Sequence, residues 1–305
     1  MSQTVVHLTG PAARGVRVGA PMLRDLLDAL VDAVQQSVRV RAEGRSRAAG
    51  PTPAWLDRAA TFTMEIQPGS TQLALDAQTL GDLVPDKFSQ VDMFQPLDPR
   101  VTCLDVFADA LDDALVSKTD SDLYDDGLIE TLTRFGRVLD HDVDSFEIRD
   151  GRTRTLDRQS VQSLRQLRRS FPADQRTRVA GKLDLLKHSS RIFSLIMSTG
   201  ELRGVVVADA DFAKLGQLLG QQVVVSGTAK FRPSGRVLRV EAEQIIAAEG
   251  DTTPWEASPR PLFSDLETRA LRVPQGPKSG VAALFGQWPG DETDDDFEGA
   301  VRDLS

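Results

Sequence analysis

The chain has 305 residues, 40% of them hydrophobic and 27% charged, with a formal net charge of −9. That composition is ordinary for a soluble protein of two domains plus appendages, and no apolar run reaches the roughly 20 residues that a bilayer span needs. The opening MSQTVVHLTG has no basic stretch followed by an apolar one, so no secretory signal is expected. The one cysteine, Cys103, excludes an internal disulfide and suits a reducing, cytoplasmic setting.

In chain order, TVVHLT reads as an opening strand. MLRDLLDALVDAVQQSVRVRAEG then places Leu23, Leu26, Leu27, Leu30, Val31, Val34 and Val38 at three- and four-residue spacings, the stripe of an amphipathic helix. A Gly/Pro-rich loop ends it. TFTMEIQPGSTQLALDA alternates on both sides of a QPGS turn and predicts a hairpin. TCLDVFADALDDALVSK and GLIETLTRFGRVLD predict helices, with Cys103 a small apolar residue in the first of them; SFEIRD predicts a strand. Residues 1–150 therefore form a small α+β domain. RTLDRQSVQSLRQLRRSF, within residues 151–174, predicts a connecting helix with a basic face of Arg158, Arg165, Arg168 and Arg169.

Residues 175–248 predict three strands, a short helix capped by Asp209 or Asp211 and ended by Gly220, then two strands. Gly181, Gly204 and Gly227 fall inside strands, where a small barrel needs sharp bends. This order resembles the OB-fold, a five-stranded barrel with its helix between strands three and four. Residues 249–280 are rich in Pro, Gly and polar side chains and predict a linker, and residues 281–305 a flexible acidic tail. The expected fold class is α+β: an N-terminal α+β domain, an OB-like barrel and that tail.

Charge is unevenly spread. From Asp76 to Glu147, 18 acids face 5 Lys or Arg; from Arg152 to Arg239, 17 Lys or Arg face 6 acids. A basic middle beside acidic flanks suits an anionic partner, contact between segments, or a solvated surface. The OB resemblance implies that ligands meet the loops KHSSR and FRPSGR. Those carry Lys187, His188, Arg191, Lys230, Phe231, Arg232 and Arg236, with Phe193 on strand two. Cations beside aromatics suit single-stranded nucleic acid, and the nucleic-acid candidates are Lys187, Arg191, Lys230, Phe231, Arg232 and Arg236. The rivals are a partner protein, the acidic tail or acidic N-terminal domain among them, and a scaffold that binds nothing.

Phosphate-loop, dinucleotide, nucleophile-elbow and HExxH motifs are absent. His7, His141 and His188 are scattered. LDHDVDSF has carboxylates close together but no EF-hand glycine or terminal glutamate, and predicts a helix-to-strand turn. TDSDLYDD reads as a helix cap and solvated face. No catalytic residue, metal site or cofactor is expected, and the chain reads as a non-enzyme.

The chain closes on ALFGQWPGDETDDDFEGAVRDLS, where Phe285, Trp288 and Phe297 sit among acids with too little apolar mass for a core of their own. LFGQWPGDETDDDFEGAVRDLS resembles the C-terminal tails of bacterial antitoxins paired with PIN-domain ribonuclease toxins. The resemblance covers about 20 of the 305 residues, and the expected N-terminal DNA-binding module of such antitoxins is missing. It implies a PIN-domain toxin as partner, with Phe285 and Trp288 filling pockets. Thr293 or Asp294 would cap a last helix bearing Phe297, Val301 and Leu304 on one face. Arg302 would reach the nuclease's acidic cluster, and the acids from Asp291 to Asp296 would mimic RNA phosphates. The alternatives are a solubilising acidic terminus and docking on the protein's own basic barrel.

Overall fold

The computed structural model describes residues 4–13, 18–67, 71–88, 97–207 and 212–262. Strand β1 (Thr4–Thr9) alternates buried and half-buried positions, as a strand with one covered face must. It is the centre of an antiparallel sheet. Beside it lie β3 (Gln72–Asp76) and β4 (Ser145–Arg149), and outside those β2 (Thr63–Ile66) and β5 (Thr153–Asp157), in the order β2-β3-β1-β4-β5. Val6, Leu8, Leu73, Leu75, Phe146 and Leu156 from this sheet share one core with the helices. Those helices are α1 (Ala20–Glu43), α2 (Ala54–Ala59), α3 (Leu80–Leu83), α4 (Pro85–Phe88), α5 (Cys103–Leu115), α6 (Asp126–Thr133), α7 (Gly136–Leu139) and α8 (Arg158–Arg169).

In α1, Met22, Leu26, Leu30, Val34 and Val38 are buried at four-residue steps. Val31 joins the stripe by spacing, yet it is exposed, because it lies about 100° round the helix from Leu30. Helix α5 starts on a capping box: Thr102 Oγ1 accepts from the Asp105 N–H, and Asp105 accepts from the Thr102 N–H at 2.8 Å. Cys103 follows, fully buried, and burial pushes its thiol up to about 12.

Residues 151–174 do more than connect. Strand β5 completes the N-terminal sheet, and Val161, Leu164 and Leu167 of α8 enter the N-terminal core. Arginines dominate the helix's composition, but the spacing of its three apolar residues gives it a buried face. Arg168, one turn on from Leu164 and so beside that face, reaches Asp126 and Glu130 of α6, at 3.5 and 3.2 Å.

The following strands are β6 (Gln175–Lys187), β7 (Ile192–Met197) and β8 (Gly200–Val206), then helix α9 (Phe212–Gln217), then β9 (Gln222–Phe231) and β10 (Val237–Ala247). They close into a five-stranded barrel in the order β10-β8-β7-β6-β9, with β9 pairing β10 to shut the ring. Every pair is antiparallel except β8 with β10. This is compatible with an OB-like barrel. Asp209 and Asp211, expected to cap α9, lie outside the described residues; Gly220, at φ 80°, follows the helix as expected.

The barrel glycines mark close approaches. A Cβ on Gly227 would stand 2.1 Å from the Glu241 carbonyl oxygen, and one on Gly204 would stand 2.3 Å from the Phe193 ring. Backbone cannot retreat as a flexible side chain can. Gly227→Ala is therefore expected to cost about 3 kcal/mol, read as a lowered urea midpoint. A loss under about 1 kcal/mol would mean that β9 and β10 can part at Gly227 without loss of their pairing.

Residues 249–262, expected to belong to a linker, are fastened to the barrel. The Ala248 N–H donates to the Gln222 carbonyl at 2.9 Å, a 3-10 turn spans Thr253–Trp255, and Ser198 Oγ donates to the Glu256 carbonyl at 2.7 Å. Arg178 stands 5.0 Å over the Trp255 ring. A polar composition lacks periodicity whether or not its hydrogen bonds find a wall, so this attachment left no pattern in the sequence. The remainder of the expected linker, 263–280, and of the tail, 281–305, lies outside the described residues. Among the described residues no helix is long and apolar enough to cross a membrane.

Candidate binding site

The basic loop between β9 and β10 meets the acidic turn between α5 and α6. Gly235, at φ 81°, turns the loop, and the Gly235 N–H donates to the Arg232 carbonyl at 2.9 Å. Ser234 donates through its N–H to the Thr119 carbonyl at 3.2 Å and through Oγ to Asp120 at 2.6 Å. Arg236 Nη1 donates to Asp120 at 2.9 Å, and Arg232 pairs with Asp122. The stretch TDSDLYDD is thus the docking surface for this loop.

A second, enclosed layer lies behind the first. Asp125 caps α6 by accepting from the Leu128 N–H at 3.1 Å, and it accepts from the Ser46 N–H at 3.0 Å. Arg239 of β10 pairs with it at 3.1 Å and with Glu241 at 3.0 Å. Burial alone would raise the Asp125 carboxyl; Arg239 and the hydrogen bonds from Ser46 and Leu128 outweigh it and hold the group below the usual carboxylate range. At the end of α1, Gly44 ends the helix at φ 70° and its Cα faces the Val205 side chain of β8. Three stretches far apart in sequence, around Ser46, Asp125 and Arg239, thereby tie the α+β part to the barrel.

Between them opens a cleft of about 750 Å³. Arg45, Arg47, Arg168, Arg191, Lys230 and Arg239 line it, against the acids Asp125, Asp126, Asp174 and Glu241; Phe171, Pro172, Val207 and Leu238 add an apolar wall. Arg47 pairs with Glu130 at 2.8 Å and Lys230 with Asp174. Among the described residues two of the buried donors find no acceptor: Arg45 Nε, which stands 3.9 Å from a Glu43 carboxylate oxygen, and Arg239 Nη1.

The barrel candidates fall in different settings. Arg191 and Lys230 both line the cleft. Arg191 holds φ 58° and stands 5.7 Å over the Phe212 ring, and His188 meets the same ring edge-on at 4.9 Å. Lys187 ends β6 near α4. Burial pushes Lys87 down to about 8, Glu43 opposes this, and repulsion from Lys187 and Arg39 adds to it. Arg232 and Arg236 are committed to Asp122 and Asp120. Phe231 and Phe193 both lie in the barrel core, 3% and 0% exposed, and Phe231 also belongs to the lining of the cleft. Period-two alternation allows either side of a strand to be the wet one, and closure of the ring put these rings inside.

In LDHDVDSF, Asp140, Asp142 and Asp144 are exposed, and His141 Nε2 hydrogen-bonds Asp25 of α1 at 2.9 Å. Among the described residues no group of three or more His, Cys, Asp or Glu is placed to hold a metal ion. The tail candidates Phe285, Trp288, Phe297, Val301, Arg302 and Leu304 lie outside the described residues. Sequence reasoning missed Arg45, Asp125 and Arg239. Only the N-cap position of Asp125 carried any local pattern. No protein-family model, no curated protein and no solved structure matches the chain.

Proposed function

We propose that the protein is a non-catalytic, cytoplasmic binding protein of the antitoxin kind, whose residues 281–305 engage and neutralise a PIN-domain ribonuclease. The observation that carries this is the composition of that segment: Phe285, Trp288 and Phe297 among seven acids and one arginine, Arg302. Large apolar side chains in so acidic a stretch gain burial from a partner's groove, and aromatic anchors dominate such interfaces. The folded body supports the same division of labour. Its basic barrel loop is engaged by its own acidic turn, and the chain is held on the barrel wall as far as Ser258. Strand order and the single parallel pair support an OB-fold assignment for the barrel.

This reading predicts a neighbouring gene for a PIN-domain nuclease, and the test is co-expression with that gene's product, followed by affinity measurement and a ribonuclease assay. The intact chain is expected to form a stable complex and suppress cleavage. Trp288→Ala is expected to weaken the complex by at least about 2 kcal/mol, roughly thirtyfold in Kd, and truncation after Gly280 to abolish it. A complex that survives the truncation would refute the assignment. Single-stranded nucleic-acid binding by the barrel stands second, because Phe231 and Phe193 are enclosed and Arg232 and Arg236 are already paired.

A further inference from the structure

We infer that the cleft between the α+β part and the barrel binds a small organic phosphate of the size of a nucleoside di- or triphosphate. Four observations converge on this. The cleft measures about 750 Å³, within the range of small-molecule sites. Six basic side chains line it against four acidic ones, with Glu130 and Glu43 outside the lining reached by Arg47, Arg168 and Arg45, in a chain whose net charge is −9. Two guanidinium donors there, Arg45 Nε and Arg239 Nη1, are buried without an acceptor among the described residues, on side chains only 12% and 9% exposed. One wall is apolar, formed by Phe171, Pro172, Val207 and Leu238.

Buried polar atoms in folded proteins almost always find partners, and an unpartnered charged donor is among the costlier exceptions. Arg45 is strained in the same sense. Burial pulls its guanidinium below the usual range, Arg39 and Arg239 add repulsion, and Glu43 and Glu241 only partly oppose this. An anion entering from the cleft would relieve both arginines at once. Guanidinium groups match phosphate oxygens in pairs, and several cations suit a phosphate chain better than a single carboxylate. The apolar wall would take a base or another flat group. None of the residues named for this site belongs to the tail, so its test is independent of the proposed toxin partner.

The test is calorimetric titration of the full chain at low salt with ATP, ADP, adenosine, pyrophosphate and a short oligo(dT). ATP and ADP are expected to bind with one-to-one stoichiometry, ATP more tightly than pyrophosphate, and adenosine to give no heat. Arg239 helps join the two parts and Arg45 is largely buried, so the informative variant is the double Arg47→Gln, Arg168→Gln, at side chains 53% and 42% exposed. It is expected to keep the native circular dichroism and melting temperature while weakening ATP at least about tenfold. The inference is overturned if ATP gives no heat, if pyrophosphate binds as tightly as ATP, or if the double variant binds ATP unchanged. Tighter binding of oligo(dT) than of ATP would also overturn it, in favour of a nucleic-acid groove.

Discussion

Asp125→Ala is expected to destabilise the protein by about 3–5 kcal/mol, because it strips one of two carboxylates from a buried arginine, removes the acceptor of the Ser46 N–H and uncaps a helix in one step. The carboxylate is buried, pairs with Arg239 at 3.1 Å, and accepts from the Ser46 and Leu128 N–H groups. Arg239, itself only 7% exposed, would keep Glu241 alone. Denaturant unfolding followed by fluorescence and circular dichroism measures the loss. The double variant Asp125→Ala, Arg239→Met is expected to be more stable than the two single losses added together, because it buries no unpaired charge. A loss below about 1 kcal/mol for Asp125→Ala would show that the pair does not join the two parts. The same residue fixes an acid response. Its folded pKa lies below the unfolded value near 3.9, so the stabilisation is complete above about pH 4 and disappears as pH falls through the folded value. Asp125→Asn should therefore flatten the acid limb of the stability profile and leave its slope near neutral pH unchanged.

That pair also shows where sequence reasoning stops. Helix α1 was legible because apolar residues recurring at three- and four-residue steps are a local pattern. The barrel was legible because the order of five strands and one helix, with glycines inside strands, constrains closure. The hydrogen bond from Ser46 to Asp125 spans 79 positions, and nothing near either residue announces it. Helix α8 was misjudged for a related reason: its arginines outnumber Val161, Leu164 and Leu167, and composition concealed a three-residue stripe that packs into the core. Phe231 shows a different limit. Alternation showed that it lies on one face of β9, but only ring closure decides which face is inside. The acidic and basic blocks were legible as opposites, and the structure turns part of that opposition into contacts between Asp120, Asp122 and the β9–β10 loop. Charge counts alone could not separate these internal pairs from the arginines left short of acceptors in the cleft.

Arg154→Ala is expected to be as damaging as Asp125→Ala, about 3–5 kcal/mol, and the reason is geometric. Arg154 sits on the edge strand β5 with its side chain 5% exposed. Its guanidinium forks onto Asp112 of α5 through Nε at 2.7 Å and Nη2 at 2.8 Å, while Nη1 donates to Asp150 at 2.7 Å. A planar fork serves both acids at once, so Arg154→Lys should recover only part of the loss. Calorimetry is expected to show the melting temperature of Arg154→Ala lowered by roughly 6–20 °C, from about 2–4 °C per kcal/mol for a folded body of this size. Arg152 is the internal control. It approaches the same Asp112 at 3.8 Å but is 81% exposed, so water already solvates it. Arg152→Ala should change stability by less than about 0.5 kcal/mol. Equal losses at the two arginines would mean that charge near Asp112, rather than the enclosed fork, holds β5 to α5. A loss confined to Arg154 makes burial the deciding variable, as it is for Arg239 at the other junction.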